Sequence, residues 1–215
     1  MTYLDIINSV LRRLREETAV SVTETDYVSM VGDFVNDAKR IVEDSYQWEA
    51  LRQTTIFNTA SGTDTYTLTD MGNRAKLISV YDQTSKYELR ALPRTKIRSE
   101  KLANPAETGT PRYYGFNGLD SNGDTNLQLH VTPDGVYAMN VLAVVPQADL
   151  SVATDAVLAP SSPIIHLALA MLARERGETG GTSTAEYFQM ADKYLRDAIA
   201  VEAARHEDEL IYYTV

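Results

Sequence analysis

The apolar residues of this chain change period twice, and nothing else in the sequence limits the fold as much. Over the first fifty residues they recur at helical spacing. Ile6, Ile7, Val10, Leu11 and Leu14 form one stripe, and Tyr27, Met30, Val31, Phe34, Val35, Ala38, Ile41 and Val42 form a second, ending near Trp48. Thr2 and Asp5 have the spacing of a capping box at the start of the first stripe. Asp33, Asp37, Lys39, Arg40 and Glu43 fall on the opposite face of the second stripe and are expected to be solvated.

After Leu51 the period shortens to two. "TTIFNTASGTDTYTLT" reads as two strands around a Ser-Gly turn, and "AKLISVYD" and "KYELRAL" as two more across a polar turn. "PRTKIRSEKL" suits a short helix opened by Pro93. "PRYYGFNG", "TNLQLHVTP" and "VYAMNVLAVVP" supply further strands, with Asp, Asn, Gly and Pro at the junctions. Helical spacing returns at Ser162-Pro163, a start signal. "IIHLALAMLARERG" is apolar almost all round and is expected to be a central helix. "ETGGTS" reads as a loop, Ser183 and Glu186 as a capping box, and Tyr187, Met190, Ala191, Tyr194, Leu195, Ala198 and Ile199 as a last stripe. The expected fold class is therefore α+β. A four-helix bundle is drawn from residues 1–51 and 162–209, an antiparallel β domain is inserted at 52–161, and a tail follows at 210–215.

Composition excludes several kinds of chemistry. Cysteine is absent, which removes disulfides, thiolate metal sites and cysteine nucleophiles. A chain of 215 residues buries roughly 70% of its unfolded surface and needs neither metal nor disulfide to fold. Twenty Lys and Arg against thirty Asp and Glu give a net charge of -10, which repels polyphosphate on average. A helix-turn-helix reading of the first two helices fails on charge: the recognition helix would carry Asp26 and Asp33 and no basic residue before Lys39. The N-terminus lacks the pattern of a secretory signal, and no apolar run has the roughly 18 residues of a membrane span, so a soluble protein made in the cytoplasm is expected.

Catalytic and metal-binding patterns are missing as well. His130, His166 and His206 stand on different elements and match no ligand spacing. There is no Gly-x-Ser-x-Gly elbow, and Gly180 and Gly181 lead to no phosphate-loop lysine. Glu43, Asp44 and Glu49 read as a solvated face rather than paired carboxylates. The segment "NGLDSNGDTNLQLHVTPDG", residues 117 to 135, places Asp120, Asn122 and Asp124 at the first three ligand positions of a calcium loop. Thr125 stands where that loop needs glycine and Val131 where it needs a bidentate glutamate. Asn122-Gly123 is instead a hairpin turn in which both residues tolerate positive φ. No cofactor, metal or catalytic residue is expected.

Taken in order, "YLDIINSVLRRLREE" with "YVSMVGDFVNDAKRIVEDSYQWEALRQTTIF", then "GTPRYYGFNG" with "LQLHVTPDGVYAMNVLAVVPQADLS", then "VLAPSSPIIHLALAMLARERGETGG" with "YFQMADKYLRDAIAVEAAR", cover nearly the whole chain. This ordered set resembles the head-to-tail adaptors of tailed bacteriophages, in particular the group of tail tubular protein A of short-tailed phages. The resemblance implies a helical bundle with an inserted β domain. It implies a virion neck protein, synthesised in the bacterial host cytoplasm and assembled as a ring, typically dodecameric, between the portal and the nozzle or remaining tail. Such a ring extends the DNA channel and helps retain the packaged genome, with genomic DNA passing through unread and no membrane involved. No catalytic residues come with it. The sequence adds two candidate contact sites: the tail residues Leu210, Ile211, Tyr212 and Tyr213, for docking on the portal, and the hairpin Asp120, Asn122, Gly123 and Asp124, for touching a neighbouring subunit or the tail. The alternatives from other classes are a small metal-assisted hydrolase and a generic intracellular binding module.

Overall fold

The computed structural model of the chain describes residues 1–177 and 183–206, without the side chains of Ser183 and His206. In chain order its elements are helices α1 (Tyr3–Arg13) and α2 (Asp26–Ser45), strands β1 (Arg52–Asn58), β2 (Thr65–Leu68), β3 (Lys76–Asp82), β4 (Tyr87–Glu88) and β5 (Arg90–Ala91), and helix α3 (Arg94–Ala103). Strands β6 (Thr108–Gly109), β7 (Tyr113–Leu119), β8 (Thr125–His130), β9 (Thr132–Pro133) and β10 (Ala138–Val144) follow, and then helices α4 (Ser161–Glu175) and α5 (Ser183–Ala203). The fold is mixed α+β with five α-helices among the described residues, one more than the sequence pattern assigned to a bundle. The residues divide into two compact units, one of 1–51 with 147–215 and one of 52–146.

In the first unit the expected capping box is present: the Asp5 amide donates to Thr2 Oγ1 at 3.2 Å and the Thr2 amide to Asp5 Oδ2 at 3.0 Å. Ile6, Ile7, Val10 and Leu11 are buried, as are Val31, Val35, Ala38 and Val42 of α2, which Thr25 caps at its start. Trp48 is buried and its indole donates to the Val42 carbonyl at 2.7 Å, so it closes the last turn of α2. α4 packs against α1, α2 and α5 and is buried on most sides, as its all-round apolar sequence requires. It starts at Ser161 behind Pro160, with no side-chain capping bond.

Residues 147–161 were expected in the β domain; they belong to the helical unit because α2 holds them with polar side chains. Asn36 accepts from the Leu150 amide at 2.9 Å and donates to the Leu150 carbonyl at 3.1 Å. Lys39 donates to the Gln147 carbonyl at 2.7 Å and to Glu43 at 3.2 Å, and Glu43 accepts from the Gln147 amide at 3.3 Å. This overturns the solvated reading of that helix face: Lys39 and Glu43 are both buried, while Arg40 and Asp37 remain exposed. Burial of the pair is tolerable because each charge finds its counterion and a backbone partner.

The second unit is two facing sheets. One has the order β1-β10-β3-β4, the other β2-β8-β7-β5, and β6-β9 forms a small third sheet. Val80, Met139, Val141 and Ala143 of the first sheet share a core with Leu68, Tyr114, Leu127 and Leu129 of the second. The sheets are not purely antiparallel, as was expected: β5 with β7 and β6 with β9 are parallel. A parallel pair needs a crossover, and between β5 and β7 helix α3 is part of it. α3 covers the second sheet at Gly115, where an added Cβ would lie 2.6 Å from Ile97 Cδ1 and 2.7 Å from the Leu92 carbonyl oxygen. "KYELRAL" is broken at buried Leu89 into β4 and β5, which sit in different sheets.

Candidate interaction surfaces

The segment 120–124 joins β7 to β8 as a hairpin. Its order comes from Asp120, whose Oδ1 accepts from the amides of Asn122 and Asp124, both at 2.8 Å. The Asp120 amide donates to the Asp124 carbonyl at 2.9 Å and the Gly123 amide to the Asp120 carbonyl at 3.3 Å. The turn differs from expectation in one respect. Only Gly123 has positive φ, 87°, and Asn122 does not, because the Asp120 side chain replaces part of the backbone bonding of a two-residue turn. Asp124 Oδ1 accepts from the Gly72 amide at 3.0 Å and Thr125 Oγ1 donates to the Gly72 carbonyl at 2.9 Å. The two carboxylates that imitate a calcium loop are thus both spent on backbone amides. Among the described residues no group of three or more His, Asp or Glu is placed to hold a metal ion.

His130 and His166 fall in different units. His130 is buried at the end of β8, its ring 6.1 Å from that of Tyr113. His166 on α4 stacks on Tyr194 of α5, with centroids 4.1 Å apart and planes 5° from parallel. Burial, with Arg13 adding to it, holds the His166 pKa below its ordinary value. The His206 side chain, the Ser183 capping side chain, the loop glycines Gly180 and Gly181 and the whole candidate set Leu210, Ile211, Tyr212 and Tyr213 lie outside the described residues.

Three surfaces were not anticipated. A groove of about 190 Å³ lies between α2, α4 and α5, lined by Ile41, Pro163, Leu167, Phe188 and Leu195 among others. On the same unit the stripe of α5 is only partly covered: Ala191 is buried, while Met190 and Tyr194 are exposed. A shallow depression of about 330 Å³ gathers Tyr87, Glu88, Arg90, Arg112 and Tyr113 from strands that sequence order keeps apart. The Tyr87 hydroxyl donates to the Pro111 carbonyl there, and burial pushes its pKa up. The third is the bare outer face of the first sheet, where Ile56 and Tyr81 are exposed. Side-chain type could have flagged the arginines and tyrosines as contact residues, but only pairing across the sheets assembles them.

The family model described as SU10 adaptor protein matches residues 1–210. The chain belongs to the SU10 adaptor protein family. No curated protein matches it. Membership carries the coarse assignment: a structural adaptor of a phage particle, located in the virion and in contact with other virion proteins. Among the described residues no helix is long and apolar enough to cross a membrane.

Proposed function

We propose that this SU10 adaptor assembles as a ring, dodecameric in the particle, between the portal and the nozzle or remaining tail, where it extends the DNA channel and helps retain the packaged genome. It is made in the host cytoplasm and takes its place in the neck. The observation that carries the reading is the family match across residues 1–210, which spans both units rather than one module. The resemblance to the tail tubular protein A group supports the ring and its position. The division into a helical unit, in which α4 packs against α1, α2 and α5, and a β unit supports reading them as that group's bundle and inserted domain.

Within this reading the tail residues Leu210, Ile211, Tyr212 and Tyr213 anchor the portal, since aromatic and large apolar side chains dominate interface energies. The hairpin Asp120, Asn122, Gly123 and Asp124 meets a neighbouring subunit or the tail. The acid surplus suits a channel through which DNA slides, because phosphate contacts would hold it back. Electron microscopy of the chain mixed with its portal tests the reading. A coaxial ring below the portal is expected with the full chain, and its loss is expected when residues 209 to 215 are deleted. A portal that stays bare with the full chain overturns the adaptor ring; rings on the truncated chain overturn only the tail's role.

A further inference from the structure

The chain's surplus of acid belongs to one of its two units. Residues 52–146 hold ten Lys and Arg against nine Asp and Glu, a net +1, while residues 1–51 and 147–215 hold ten against twenty-one, a net -11. Two copies that meet helical unit to helical unit therefore repel each other, whereas the β unit of one copy can meet the helical unit of another without that penalty. Each unit also carries an exposed patch of the sign that the other attracts.

On the β unit the patch is the depression of Tyr87, Glu88, Arg90, Arg112 and Tyr113. It forms where the chain crosses from one sheet to the other, at buried Leu89, whose amide donates to the Val80 carbonyl at 2.8 Å. The Arg90 amide donates to the Arg112 carbonyl at 3.0 Å and the Arg112 amide to the His130 carbonyl at 3.0 Å, so the backbone under both arginines is fixed. Both arginines are exposed, and among the described residues neither has an ion pair, not even with Glu88 beside them. Arginine and tyrosine are both enriched in protein interfaces. A guanidinium also takes a carboxylate through two parallel hydrogen bonds.

On the helical unit the patch is one face of α2. Asp26, Asp33, Asp37 and Asp44 follow at spacings of seven, four and seven, which keeps them on one side of the helix over about 27 Å. All four are exposed. Arg40, the basic residue on that face, is held by Asp37 and Asp149. Asp26 and Asp33 have no ion pair among the described residues. We propose that the depression of Arg90 and Arg112 on one copy receives the α2 face of a second copy, with Asp26 and Asp33 as the carboxylates that the two guanidiniums take. The proposal rests on the ring reading above. A closed ring joins two different patches of every subunit, and these two, on different units and of opposite sign, are such a pair. Tyr87 and Tyr113 wall the contact and exclude water from it, which strengthens the pairing of charges.

Charge reversal on either side tests the contact. Arg90→Glu/Arg112→Glu and Asp26→Lys/Asp33→Lys, each assembled alone on the portal, are expected to cut ring yield about tenfold or more, because each sets like charges against each other in the interface. Mixed in equal amounts, the two variants are expected to regain rings, since an even-numbered ring can alternate them and every contact again joins opposite signs. A second measurement leaves the arginines in place and uses the absence of cysteine. Glu88→Cys and Asp33→Cys, at two exposed positions, are assembled together on the portal and treated with a short bismaleimide. They should give a cross-linked heterodimer, and neither variant alone a homodimer. Full ring yield from either reversed variant overturns the contact and leaves the ring standing. So does a mixture that stays unassembled while the cysteine pair gives no cross-link; the acidic partner of the arginines would then belong to the portal or another virion protein. A wild-type chain that forms no ring on its portal overturns the ring and this contact together.

Discussion

Among single residues, the buried pair Lys39 and Glu43 carries the largest expected consequence. Glu43→Ala leaves the Lys39 ammonium in the interior with only the Gln147 carbonyl named above to satisfy it. Removing one partner of such a pair costs about 3–5 kcal/mol, while replacing both by apolar side chains is often near neutral. Urea unfolding should therefore show a large loss for Glu43→Ala and recovery of most of it in Lys39→Met/Glu43→Leu. Sequence alone read this pair as solvated, and the reason is physical. An (i, i+4) pair of opposite charges is the ordinary pattern of an exposed helix face, and its burial depends on Gln147, more than a hundred residues away. The turn at Asp120 was legible because its partners are at most four residues away. A second prediction concerns His166. Its folded pKa lies below the ordinary 6.5, so the folded chain binds fewer protons than the unfolded one between those two values. This group's contribution is fully favourable above 6.5 and is lost as pH falls through that value toward the folded one. Stability measured against pH should drop in that window, and His166→Phe, which keeps a ring on Tyr194, should flatten it.

At the level of elements, the helices at both ends and most strands follow from periodicity, because a single amphipathic face is a local property. Pairing is different. β1 and β2 read as neighbours around a Ser-Gly turn, yet they lie in different sheets, and β4 and β5 are divided between sheets at Leu89. Which edge a strand joins depends on the core it completes, and no window of a few residues contains that core. α3 was anticipated as a helix, but its partner was not. The sign of that partner is Gly115, which interrupts β7 so that Ile97 and the Leu92 backbone can approach. Gly115→Ala should cost about 1–3 kcal/mol, since overpacking here presses on a backbone carbonyl that cannot rotate away. Hydrogen exchange should localise the damage: the Leu92 amide, bonded to the Tyr114 carbonyl at 2.8 Å, is expected to lose protection before the β8 amides do.

For the molecule as a whole, charge bears on function more directly than any single site does. A DNA-gripping ring would need lysines and arginines gathered on the surface that meets phosphate, and each phosphate contact would steepen the fall of affinity with salt. This chain has twenty basic residues against thirty acidic ones, and several of the basic ones are already spent. Lys39 is buried on Glu43, Lys101 is paired with Asp64, Arg176 with Glu16, and Lys96 with Glu100. In the ring proposed above, a chain charged this way would let DNA pass without holding it. Fluorescence anisotropy with a labelled duplex should detect no binding by the free chain at about 150 mM salt, where the Debye length is near 8 Å. Lowering the salt strengthens the net repulsion as well as any local attraction, so affinity should stay weak there too. Tight binding with a steep salt slope would mean that a basic stripe operates despite the net charge, and the DNA-sliding role would then have to give way to one of grip.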